Sequence, residues 1–135
     1  MPRIRRPRPT DAELTILRIL WANGPCTVRQ VYEELARDRT LGYTTALKLL
    51  QVMTEKGLTT REQIGPQQHA YRARASEGDT QKQLLSDLLH RAFGGSMSQL
   101  VMQALATKKA SQDELQAIRQ LLKEHASSNE EKSDE

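Results

Sequence analysis

Three amphipathic helical segments, followed at once by two short alternating stretches around a Gly-Pro turn, set the narrowest limit on how this chain folds. Over residues 10–23, Leu14, Ile16, Leu17, Leu20 and Trp21 recur at helical spacing and predict one apolar stripe. Thr10 and Glu13 form a capping box in front of it, and Gly24-Pro25 ends it. A second helix over 28–37 turns Val28, Val31, Tyr32 and Leu35 inward, with Thr27 or the Cys26-Thr27 pair as its cap. After a short polar linker, a third helix over 44–56 places Ala46, Leu49, Leu50 and Met53 on one side, and Gly57 stops it. LTTREQI and HAYRARA then alternate in the manner of strands around Gly65-Pro66-Gln67-Gln68. Three helices and a hairpin in this order are the elements of a winged helix-turn-helix.

Beyond Gly78 only helical periodicity remains. Leu84, Leu85, Leu88, Leu89 and Phe93 form one stripe, Gly94-Gly95 interrupts it, and Leu100, Val101 and Leu105 resume it. A last helix over 113–125 carries Leu115, Ile118, Leu121 and Leu122, with Ser111 and Glu114 as a second capping box. Three short helices cannot bury stripes this apolar among themselves, and hydrophobic residues make up only 37% of the 135 in the chain. A second copy that completes the core is the simplest solution. The expected class is therefore mainly α. A basic arm (1–9) leads into a winged helix-turn-helix of three helices and a hairpin wing (10–77). A helical dimerisation region (78–126) and a polar tail (127–135) complete the chain.

The length admits one domain or two very small ones and excludes a large multidomain enzyme. Charge is divided between the halves: 13 Lys/Arg stand against 8 Asp/Glu through Gly78, and 7 against 9 thereafter. A basic front half suggests contact with a polyanion. GxSxG, HExxH, a Walker A loop and GxGxxG before a helix are all missing, and His69, His90 and His125 are dispersed, so no enzyme and no cofactor are expected. A single cysteine, Cys26, excludes an intramolecular disulfide and the usual structural zinc sites and fits a reduced cytoplasmic setting. Beside a helix start, Cys26 is open to two readings, an acidified redox thiol or a small semi-buried neighbour of the cap. No apolar core follows the basic opening MPRIRRPRPTD, and no run reaches about 18 apolar residues, so neither signal peptide nor membrane insertion is expected.

In a helix-turn-helix the second helix of the motif enters the major groove. Here that helix presents Thr44, Lys48 and Gln51 on its polar arc, with Thr45 and Leu47 at the margins. Lys48 suits guanine or phosphate, Gln51 suits adenine, and the threonine hydroxyls near the helix start suit phosphate. Arg61, Arg72 and Arg74 alternate with Gln63, Tyr71 and Ala73, which suggests a ribbon face that presents guanidinium groups to the DNA backbone. His69 near the wing tip and Arg5 and Arg6 in the arm are further phosphate candidates. A reading from another class makes the winged helix a protein-interaction adaptor whose stripe from Leu84 to Phe93 docks a partner helix.

The segment DAELTILRILWANGPCTVRQVYEEL, with Glu13, Trp21, Thr27 and Val28, resembles the opening helices of the BlaI/MecI penicillinase-repressor family. GYTTALKLLQVMTEKGLTTRE resembles its recognition helix and first wing strand, with Tyr43, Thr44, Thr45, Leu50, Lys56 and Gly57 in register. Tyr71 falls where the wing's aromatic residue is expected, and FGGSMSQLVMQAL and SQDELQAIRQLL resemble the dimerisation region. The resemblance spans about residues 10–123. It implies a homodimeric repressor that binds palindromic double-stranded operators and is released when a membrane sensor metalloprotease cuts the dimerisation region. The implied cut maps near Gln103-Ala104, where the family's Asn-Phe pair is absent. The family's usual basic residue, threonine and arginine are replaced by Leu47, Lys48 and Val52, which implies a different operator preference. The cysteine-free tail does not match the family's copper-responsive branch.

Overall fold

The computed structural model describes residues 8–38 and 41–133, with side chains through 129, so Arg5 and Arg6 lie outside the described residues. Six helices and one hairpin follow in order: α1 (Asp11–Asn23), α2 (Val28–Asp38), α3 (Tyr43–Lys56), β1 (Thr59–Gly65), β2 (Gln68–Ala73), α4 (Glu77–Phe93), α5 (Met97–Thr107) and α6 (Gln112–Ser133). Two compact units result, one ending at Asp87 and the other starting at Leu88, so the division falls inside α4.

In the first unit, local chemistry fixes the helix ends. The Glu13 N–H donates to Thr10 Oγ1 at 3.2 Å while the Thr10 N–H donates to Glu13 Oε1 at 2.9 Å, which completes the capping box of α1. Thr27 and Gln30 make the same reciprocal exchange at α2, at 3.2 and 2.8 Å. The third helix starts one residue earlier than its periodicity suggests, because Gly42 supplies the extended cap conformation without a side-chain hydrogen bond. At its other end Gly57 takes φ 84°, and the Leu58 N–H reaches back to the Met53 carbonyl at 2.8 Å. That left-handed closure strongly favours glycine.

Ile16, Leu17 and Leu20 of α1, Val31 and Leu35 of α2, and Ala46, Leu50 and Met53 of α3 form one core with Cys26 and Tyr71. The hairpin closes this core from one side. Cys26 and Tyr71 form an isolated antiparallel bridge, with N–H to carbonyl distances of 2.9 and 2.7 Å, so the α1–α2 connection acts as a third edge for β2. Trp21 and Tyr32 are only partly buried, and the Trp21 indole N–H donates to the Ala75 carbonyl at 2.9 Å.

The second unit is built differently. Among its described side chains, from Leu88 to Asn129, none is buried. Ser96 caps α5 through the Gln99 N–H at 3.3 Å, and Ser111 caps α6 through the Glu114 N–H at 3.1 Å. The last helix continues past His125 to Ser133, because the sequence beyond that point contains no glycine or proline to end it.

Candidate nucleic-acid interface

The third helix separates two kinds of side chain cleanly. Ala46, Leu50 and Met53 are fully buried, while Thr44, Thr45, Lys48 and Gln51 are exposed and Leu47 is half-buried. Because Gly42 offers no side-chain oxygen, the first-turn N–H groups of α3 have no capping side chain and carry the positive end of the helix dipole to the surface. The Thr44 and Thr45 hydroxyls sit beside those groups. Such a terminus is suited to an anion. Tyr43, also exposed, packs edge-on against Tyr32 with ring centroids 5.9 Å apart, and the Arg29 guanidinium lies 6.0 Å from the Tyr43 ring centre. Arg29 thus joins the basic surface at the start of α3, an addition that sequence periodicity missed because the contact bridges two helices.

The hairpin corrects one expectation. Thr59 pairs with Ala73, Arg61 with Tyr71 and Gln63 with His69, so these six share one face of the ribbon. Thr60 pairs with Arg72 and Glu62 with Ala70 on the other. Arg61 and Arg72 therefore point to opposite faces, and a single arginine-bearing face does not form. The inner face buries Thr59 and Tyr71, leaving Arg61 and Gln63 exposed further out. The outer face carries Arg72 with Glu62 diagonal to it. His69 is half-buried, set back from the turn, and opposite Gln63. The register shifts between Gln63 and Gly65, which leaves Ile64 unpaired and 53% exposed at the bulge. Lys48, Arg61 and Arg72 form no ion pair with any described residue.

Two titratable groups lie beneath this surface. Glu13 is 2% exposed, and Lys56 Nζ lies 2.6 Å from its Oε1. Burial works against the charged carboxylate. The hydrogen bonds from Lys56 and the Thr10 backbone, with the charge on Lys56, outweigh it and hold Glu13 below its ordinary range. Cys26 moves the other way: burial and the nearby Glu34 carboxylate push its thiol up, which rules against an acidified thiol. The helix start does not acidify it because its Sγ is buried against the Gly24 carbonyl, 3.2 Å away.

In the second half of the chain, Leu85, Leu88, Val101, Leu105, Ile118, Leu121 and Leu122 are exposed. Leu84, Leu89, Phe93, Leu100 and Leu115 are half-buried. Gln103 and Ala104 lie exposed within α5. Among the described residues no group of three or more His, Cys, Asp or Glu is placed to hold a metal ion, and no helix is long and apolar enough to cross a membrane.

A family model described as penicillinase repressor matches residues 9–124. The chain belongs to the penicillinase repressor family. It is 24% identical to the penicillinase repressor of Bacillus licheniformis over 119 residues, covering 88% of this chain and 92% of that protein. It is 30% identical to the transcriptional regulator BlaI of Mycobacterium tuberculosis over 115 residues, covering 84% and 82% respectively. A solution structure of the Bacillus licheniformis BlaI monomeric form in complex with the blaP half-operator aligns with a TM-score of 0.48 at 24% identity, covering 56% of this chain and 90% of that one. For a penicillinase repressor, the buried and exposed sides of α3 are the features that bear on function.

Proposed function

We propose that this member of the penicillinase repressor family is a cytoplasmic, dimeric transcriptional repressor that reads operator DNA with α3. The observation that carries the reading is the division of that helix. One side is locked into the core by Ala46, Leu50 and Met53, and the other offers Thr44, Thr45, Lys48 and Gln51 to the groove beside an uncapped, positive helix start. Arg29, Arg61 and Arg72 add sequence-independent phosphate contacts, and a few α3 side chains select bases. The apolar faces of α4, α5 and α6 pair with those of a second copy, so two winged helices address a palindromic operator. Release follows a cut by a membrane sensor protease in α5 near Gln103-Ala104, which weakens that pairing.

The test is binding to the intergenic DNA upstream of the chain's own gene across a salt series, with mass in solution measured in the same buffer. A dimer that neutralises on the order of 8 phosphates gives a slope of log K against log salt of about −7. A flat slope and a monomeric mass would overturn the reading in favour of a protein-interaction adaptor. The proteolytic step is checked by co-expression with a sensor protease: a chain left intact under inducer removes it.

A further inference from the structure

Glu13 and Lys56 stand 43 positions apart in sequence and meet at 2.6 Å. Glu13 belongs to the first turn of α1 and is buried, whereas Lys56 is the last residue of α3 and 33% exposed at its side chain. A carboxylate at this depth is unfavourable unless it is paired, and its Oε1 accepts both from the Lys56 ammonium and from the Thr10 N–H. Each partner also sits at the helix end whose dipole favours its charge. Lys56 is therefore held by Glu13 rather than left for phosphate.

The chain just past Lys56 is stiff. Gly57 and Leu58 close the helix onto Thr54 and Met53, and the Thr54 and Thr59 hydroxyls lie 2.9 Å apart, so the first residue of β1 is fastened to the last turn of α3. The apolar contacts beneath α3 are non-directional and resist sliding poorly, but a short charge-assisted hydrogen bond fixes both distance and direction. A displacement at Lys56 would pass into the wing without being absorbed.

We propose that Glu13 is a positioning residue for operator recognition. Through Lys56 it sets the end of α3 and the root of the wing relative to α1, so that the exposed arc of α3 and the hairpin cations meet DNA at one fixed spacing. Glu13 touches no DNA itself. The inference rests on the proposed DNA-binding function, and wild-type binding tests that function separately.

The experiment compares wild type with Glu13→Gln, Lys56→Met, the double variant and Lys56→Arg, each measured for melting temperature and for operator affinity across a salt series well below its melting point. Each neutralising single variant is expected to bind on the order of tenfold more weakly, within the range of coupling between contacting side chains. The double variant should be no weaker than either single variant, Lys56→Arg should recover most of the loss, and the salt slope should stay at the wild-type value. The double variant buries no uncompensated charge and carries the comparison should a single variant fail to fold. Two results overturn the proposal. One is a loss confined to variants lacking Lys56 with a slope shallower by about 0.9, which identifies a direct phosphate contact. The other is lower melting temperatures with unchanged operator affinity, which identifies a stability brace only. Failure of the wild type to bind duplex at low salt overturns the DNA-binding reading, and this inference with it.

Discussion

Leu122→Ala is expected to weaken self-association about 30-fold while leaving the N-terminal unit's fold intact. Leu122 keeps 64% of its surface open in the single chain. Full burial of a leucine stabilises by roughly 2 kcal/mol, so somewhat more than half of that is left for a partner surface to supply. Truncation to alanine removes most of this share, about 1 kcal/mol per chain, and two-fold symmetry counts it twice, giving about 2 kcal/mol per dimer. At about 1.4 kcal/mol per decade, this becomes the stated change in dissociation constant. Sedimentation equilibrium over a concentration series measures it directly. The melting of the N-terminal unit serves as the control, because its core of Ile16, Val31, Leu50 and Met53 is untouched. An unchanged constant for both Leu122→Ala and Leu105→Ala, or a wild-type chain that stays monomeric at every concentration tested, refutes the pairing.

Further outcomes are expected elsewhere in the chain. Lys48→Ala should cost about 1–3 kcal/mol of operator binding and relax preference at one base position; a uniform loss over all sequences would instead mark a phosphate contact. Cys26, buried and with its thiol pushed up, should react with a thiol reagent only as fast as the N-terminal unit opens, and rapid labelling of the native protein would contradict that placement. Glu13 is held below its ordinary value of 4.5, so the folded state binds that proton less readily than the unfolded chain. Its contribution is complete above the ordinary value and fades as pH falls through the lower folded one. Melting temperatures of wild type and Glu13→Gln should therefore converge on acidification, and a constant gap across the same pH range would show that the charge plays no part.

Much of the N-terminal unit is legible in the sequence because its signals are local. Helical spacing, the Thr10 and Glu13 box, and glycine at the end of α3 each act within a few residues, and together they give the order of elements. The exposed arc of α3 comes from the same spacing. The features that escape depend on contacts between elements. Glu13 reads as a cap partner alone until α3 brings Lys56 to it. Arg61 shares a face with Arg72 only if register is ignored, and that register is set by the pairing of β1 with β2 and the shift at Ile64. Arg29 meets Tyr43 through the packing of α2 on α3. The C-terminal stripes are legible as stripes, since periodicity reports an apolar face without naming what covers it.

The two units differ in what holds them, and that difference couples assembly to binding. The N-terminal unit has its own buried core, whereas no described side chain from Leu88 to Asn129 is buried. Under the proposed pairing, the second copy supplies the missing core, so the stability of the C-terminal unit depends on protomer concentration. Pairing also makes contact with the second half-site intramolecular, which raises operator affinity without any new DNA contact. A separated chain keeps its winged helix but about half the phosphate contacts, so its salt slope falls from about −7 to about −3.5. Any change in α4, α5 or α6 that weakens pairing, whether a cut near Gln103-Ala104 or the loss of the Leu122 side chain, thus lowers operator occupancy while every DNA-facing residue stays in place.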